Sequence, residues 1–159
     1  MVDPQELKNI FFFKHLPEEI LSRIAPLAQV ELFGEETVLF KQGESLDNLY
    51  GLLEGMVFLN SRSASNRVLT LDEVTPGRCF GLSSLADEGY SSFTAICAEE
   101  CRIITVSNRE LTDLCEQDKR FGYAVMVQLV HLFKSRRDKH TRQFMQSIAS
   151  HPDVVSMSS

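Results

Sequence analysis

Cysteine and histidine are the residues of this chain best suited to chemistry, and their spacing gives them little to do. Cys79, Cys97, Cys101 and Cys115 contain no C-x-x-C pair, and no histidine follows them at zinc-ligand spacing. Cys97 and Cys101 lie four apart, which suits neighbours across a strand–turn–strand. Two readings are open for them: buried free thiols in a reducing compartment, or a redox switch. His15, His131, His140 and His151 form no His-x-His, the pattern a metal-binding roll needs, and no carboxylate is fixed beside them by sequence. No catalytic residue, metal site or cofactor is therefore expected, and the chain reads as a non-enzyme. Ser83, Ser84, Ser91 and Ser92 form either a polar ligand pocket or a small-residue turn around a short helix. The basic stretch Lys134–Arg142 is either a solvated helix face or a contact for an acidic partner or nucleic acid.

These residues sit on three kinds of segment. Near the N-terminus, Pro17-Glu18-Glu19 makes a good first helical turn, with proline at N1 and acids at the positive end of the dipole. Ile20, Leu21, Ile24, Leu27 and Ala28 follow at helical spacing, so one helix is predicted over 17–28, with Pro26 bending or ending it. Phe11, Phe12 and Phe13 cannot all face one way, so some must pack outside their own element. From about 29 to 106, short runs of Val, Leu, Phe and Ile alternate with Gly, Asn, Asp and Ser. Strands are predicted near 29–33, 37–41, 48–54, 56–61, 67–74, 93–98 and 101–106, a spacing that suggests a sandwich or barrel. Gly34, Gly43, Gly55 and Gly77 are expected at corners with positive φ, and 60–66 reads as an exposed hairpin loop. From 107 the period is helical again. Ser107 is a plausible N-cap with Glu110 three residues on, and Asp118 caps a longer helix. Phe121, Val125, Leu129 and Leu132 form a stripe along that helix, which fits a dimer seam, packing on the same chain, or both. Pro152 stops the pattern, and 151–159 is expected to be a loose tail.

Composition narrows the function classes. With 159 residues, 43% of them apolar and 24% charged, the chain is an ordinary globular protein, expected to form one domain over 1–159. Twenty-two acids against 16 bases leave a charge of −6, which repels phosphate backbones. Direct nucleic-acid binding is not expected. No apolar run is long enough to cross a bilayer, and the start, MVDPQELKNI, lacks a signal-peptide plan. No membrane association and a cytoplasmic location are the expectations.

Three motifs carry a family resemblance. They are Leu39-Phe40-Lys41-Gln42-Gly43-Glu44, Leu49-Tyr50-Gly51-Leu52-Leu53-Glu54-Gly55 and Val74-Thr75-Pro76-Gly77-Arg78-Cys79-Phe80-Gly81. In this order, with flanking helices, they resemble the cyclic-nucleotide-binding domain, the effector module of catabolite-activator-type regulators, cyclic-nucleotide-dependent kinases and gated channels. The likeness runs from about Phe13 to Lys139. It implies an α+β, mainly β fold: an eight-stranded, jelly-roll-like β-roll over about 29–106, one N-terminal helix, and two C-terminal helices over about 107–150. It also implies that the segment after Phe80-Gly81 is a phosphate-binding cassette, whose backbone N–H groups cradle a cyclic phosphate. Gly81, Leu82, Ser83, Ser84, Ser91, Ser92 and Thr94 are then the expected ligand contacts.

The cassette departs from the family pattern. Leu82 stands where the family has the glutamate that takes the ribose hydroxyl. Ser91 or Ser92, depending on a one-residue shift, stands where it has the phosphate-pairing arginine. A charge-assisted bond contributes roughly 1.5–3 kcal/mol, so losing two weakens binding by about two to four decades. Arg78, or Arg136 and Arg137 of the long helix, are the cations in reach to replace that charge from another direction. The resemblance thus implies a regulatory sensor with weakened or altered cyclic-nucleotide binding. It would signal through its long C-terminal helix and pair as a homodimer through the helix around 118–148. Its possible ligand is a cyclic nucleotide or another small anion. The alternative is a ligand-free dimerisation or protein-interaction module on the same fold. Bacterial regulators of the family carry a helix-turn-helix domain after this helix, and none is expected within these residues.

Overall fold

The computed structural model describes residues 2–82 and 90–149. The expected cassette helix, with Ser83 and Ser84, and the expected tail 151–159 lie outside the described residues.

Three short helices open the chain where the sequence pattern predicts one. They are α1 (Pro4–Leu7), α2 (Phe11–Lys14) and α3 (Glu18–Ile24). Asp3 caps α1, its carboxylate accepting from the Gln5 N–H at 2.9 Å. Pro17 lies just before the first turn of α3, and Pro26 falls in a 3-10 turn, Ala25–Leu27. A ring that cannot donate to the carbonyl four residues back ends the α-helix there. The phenylalanine triplet divides as geometry requires. Phe12 and Phe13 are buried and Phe11 is 59% exposed.

Eight strands follow: β1 (Ala28–Phe33), β2 (Val38–Phe40), β3 (Asn48–Glu54), β4 (Val57–Arg62), β5 (Val68–Val74), β6 (Cys79–Phe80), β7 (Thr94–Cys97) and β8 (Cys101–Ser107). They form two antiparallel four-stranded sheets, ordered β1-β8-β3-β6 and β2-β7-β4-β5. This is the α+β roll the motifs imply. Strand β6 escaped the sequence pattern because two residues carry no alternation; it pairs Phe80 with Tyr50 and Cys79 with Gly51. Gly43, Gly55 and Gly77 hold positive φ, but Gly34 does not. Its turn closes with the Thr37 N–H donating to the Gly34 carbonyl at 3.2 Å, and Glu36 takes the left-handed conformation at φ 69°.

The first sheet is apolar on both faces. From β8, Cys101 and Ile103 point into the roll, against Leu52, Tyr50 and Phe80. Ile104 and Val106 point the other way, against Ile10, Phe13, Leu21 and Ile24 of the N-terminal segment. That outer face is completed by α4 (Asn108–Gln117) and α5 (Lys119–Ala149). Both predicted caps form. The Ser107 hydroxyl accepts from the Glu110 N–H at 3.3 Å, and the Asp118 carboxylate accepts from Arg120 and Phe121 N–H groups at 3.0 and 3.3 Å. Arg23 joins α3 to this corner. Its guanidinium lies 2.6 Å from the Asp118 carboxylate and 5.0 Å from the centre of the Phe121 ring.

The stripe along α5 is core of the same chain. Phe121, Val125 and Leu129 are buried and Leu132 is partly so, all against the N-terminal helices and the first sheet. The opposite side of α5 carries a second apolar row, Tyr123, Met126, Val130 and Phe133, and it is exposed.

Candidate functional site

The interior of the roll is filled by aromatic rings. Tyr50 and Phe80 stack with centroids 5.1 Å apart, and Phe40 lies 5.6 Å from Tyr50 and 6.2 Å from Phe80. Beside them Leu59, Leu71 and Phe93 wall a cavity of about 350 Å³, closed by Asp72 and by Arg136 of α5. The cavity is thus apolar on three sides, with one acid and one base.

Arg136 ties the long helix to the roll. Its guanidinium donates to the Cys79 carbonyl of β6. Its Nε is buried and has no hydrogen-bond partner among the described residues. Asp72 gathers the neighbouring cations. Arg78 grips it through two bonds of 2.7 and 3.3 Å, and the Lys139 ammonium lies 3.4 Å away. Burial pushes the Asp72 carboxyl up, but the Arg78 hydrogen bonds and the charges of Arg78 and Lys139 prevail and hold it below its ordinary value. For Arg136, burial and then the Arg78 charge both work against the charged form. Arg137 points away; its nearest acid is its own neighbour Asp138, at 3.8 Å. Of the three cations expected to replace the lost charge, Arg78 and Arg136 meet at this cluster and Arg137 does not.

The residues predicted as ligand contacts are spread over several places. Gly81 holds φ 78° at the end of β6, and a Cβ there would meet the Asn48 carbonyl and the Tyr50 ring at 2.9 Å. Its carbonyl accepts from Asn108 Nδ2 at 3.5 Å. Leu82 is 2% exposed and packs in the helix-side core with Leu49, Ile104 and Phe121. Ser91 is buried, and its hydroxyl is engaged locally, donating to the Phe93 carbonyl and accepting from the Phe93 N–H at 3.1 Å. Ser92 is exposed. Thr94 is on the outer face of β7, because Ala95 and Cys97 take the inward positions. Its hydroxyl accepts from the Gln42 N–H at 3.0 Å, in a cleft of about 670 Å³ shared with Val38 and Arg62. The cavity walls Leu59, Leu71, Asp72 and Phe93 were missed. Asp72 carried a signal, an acid within an apolar strand run six residues before Arg78.

The thiols are poor nucleophiles. Cys79, Cys97 and Cys101 are buried, and all four cysteines are free. Burial pushes the Cys79 thiol up to about 12. Burial, and then the neighbouring Cys101, push Cys97 up as well. Cys101 donates to the carbonyls of Met56 and Glu99 at 3.3 and 3.2 Å.

With the roll, its flanking helices and the pocket in place, the comparisons agree on a family. The sequence model of the cyclic nucleotide-binding domain matches residues 30–118, and the chain belongs to that family. A Geobacter metallireducens GS-15 protein described as cyclic nucleotide-binding is 29% identical over 86% of this chain and 98% of its own, with a TM-score of 0.77. The catabolite activator protein of Thermus thermophilus is 25% identical, over 86% of this chain and 63% of its own, with a TM-score of 0.70. The N-terminal domain of a Streptomyces coelicolor A3(2) transcriptional regulator shares the fold at 21% identity, over 85% of this chain and 94% of its own, with a TM-score of 0.69. No curated protein matches the chain. Among the described residues, no helix is long and apolar enough to cross a membrane.

The cation cluster makes a pH prediction. Asp72 titrates below its ordinary value in the folded chain, so its contribution to stability is complete above the unfolded carboxylate pKa of about 3.9. It is lost as pH falls through the lower, folded value. Urea midpoints of the wild type and Asp72→Asn should differ most near neutrality and converge in acid. A gap that stays constant down to pH ~2 contradicts the ion cluster.

Proposed function

We propose that this chain is a ligand-sensing regulatory module with no chemistry of its own, acting in the reducing cytoplasm. It takes a small anionic ligand at the mouth of the roll, and it signals through α5. One observation carries the reading: Arg136, a residue of α5, reaches the cavity wall and holds the Cys79 carbonyl of β6. An anion in the cavity competes with that carbonyl for the guanidinium, so occupancy and the position of the helix are linked. Such linkage shifts the population between two helix arrangements only as far as the ligand favours one of them. Cyclic nucleotides bind weakly in this reading, because Leu82 is committed to the core and the Ser91 hydroxyl to its own turn.

Pairing belongs to the reading as well. Tyr123, Met126, Val130 and Phe133 recur at three- and four-residue spacing on the exposed side of α5, the spacing that a two-stranded coiled-coil seam uses. A second copy of the chain is the partner that such a self-complementary row suits. The ligand-free interaction module remains the second reading. The aromatic filling of the roll by Phe40, Tyr50 and Phe80 favours it.

Thermal-shift titrations with cyclic AMP and cyclic GMP separate the two readings. The sensor reading expects saturation only at roughly 0.1–1 mM, and at least tenfold weaker binding in Arg136→Ala. Saturation at low micromolar ligand contradicts a weakened pocket, and a flat response to every anion supports the second reading. For pairing, sedimentation velocity should show a dimer that Val130→Glu weakens at least tenfold, since the variant places a charge in an apolar seam. A wild-type monomer at high concentration contradicts the seam.

A further inference from the structure

We propose a second binding site on this chain, outside the roll: a cationic groove between α2 and α5 that takes a small phosphate-bearing ligand with an aromatic or apolar group. The groove encloses about 620 Å³, within the range of small-molecule pockets. One wall is the N-terminal segment, with Phe11, Phe12 and His15. The other is α5, whose Gln128, His131, Leu132, Ser135, Lys139 and Arg142 recur at helical spacing along one face. Glu73, Thr75 and Arg78 from the end of β5 and the turn before β6 form the floor.

The charge in this groove runs against the charge of the chain. The molecule carries −6 overall, yet Arg78, Arg136, Lys139 and Arg142 converge here. Two acids oppose them, Glu73 in the floor and Asp72, which Arg78 and Lys139 already share. A solvated helix face spreads its cations along one element and turns them to water. These come from α5 and from the β5–β6 turn, and His15 at the C-terminus of α2 adds a donor. Arg78 lies close enough to disfavour the charge on Arg136, and Arg136 Nε has no partner among the described residues. Crowded, partly desolvated cations with spare donors are stabilised by a polyanion, and arginine pairs with phosphate oxygens two bonds at a time.

The remaining lining selects what else the ligand carries. Phe11 is 59% exposed, although its backbone is fixed by its N–H donating to the Gly77 carbonyl at 2.8 Å. With Leu132 it offers an apolar face beside the cations, suited to a base or another flat ring. A nucleoside polyphosphate has this chemistry. The walls on two sides enclose a single small molecule rather than a long acidic chain.

The groove shares Arg136 with the cavity of the roll, so its test uses His131 and Arg142, which line the groove and not that cavity. Isothermal titration of the full chain with ATP should show one saturable site, adenosine should give none, and added salt should weaken the ATP site. His131→Ala combined with Arg142→Glu should weaken ATP at least tenfold, about 1.4 kcal/mol. Both residues are exposed, so the fold should survive. If the melting temperature falls nonetheless, Ser135→Glu is the second variant, an exposed position that lines the groove and not the cavity of the roll, with the same expected direction. No ATP binding up to millimolar concentration overturns the proposal. So does ATP binding that these variants leave unchanged, since it then lies elsewhere, and so does adenosine binding as tightly as ATP.

Discussion

A sheet that is apolar on both faces must be covered twice, and this constraint organises the molecule. In the sheet β1-β8-β3-β6, Ile103 faces the second sheet while Ile104 and Val106 face the helices. The flanking helices are therefore half of the core, and they cannot leave the roll without exposing it. Full burial of a side chain such as Phe13, Leu21 or Ile24 stabilises by roughly 1.5–3 kcal/mol, and each of them lies on the helix side. Gly51 shows how close the approach is: a Cβ at that position in β3 would come within 2.9 Å of the Ile10 side chain.

The same constraint gives α5 its several duties. Its first turns carry Phe121, Val125 and Leu129 into the core, which fixes the axis of the helix. The helix then continues, and at 31 residues it spans about 46 Å. Arg136 and Lys139 follow from the same rotation and come to rest on the Cys79 carbonyl and the Asp72 carboxylate. A third side, with Tyr123 and Val130, is left to solvent. Pocket, core and proposed seam thus lie on one rod. A conformational signal needs such an element with two arrangements, biased by whatever competes for Arg136.

Much of this was legible in the sequence, for identifiable reasons. Strands such as 48–54 and 101–106 announce themselves by composition, and Ser107 and Asp118 announce helix starts by cap chemistry. The N-terminal segment did not, because helices of four residues such as Pro4–Leu7 and Phe11–Lys14 are too short to show a period. Strand β6 failed for the same reason. Thr94 is on the outer face of β7 because the two-residue period of a strand leaves the choice of face to tertiary packing, and Ala95 and Cys97 take the inside. The stripe Phe121–Leu132 was visible, yet which of two apolar rows meets the core depends on what stands opposite. Arg136 was one of five cations in the charged run 134–142, and only the path of the helix separates it from Arg137.

Arg136 fastens α5 to the roll. Hydrogen–deuterium exchange on the wild type and Arg136→Met tests it most directly, since methionine keeps the apolar stem and removes the donor. The variant should exchange faster in α5 beyond Leu132 and in the Cys79–Phe80 strand, with β1, β3 and β8 unchanged. Equal protection of those segments in both proteins contradicts it.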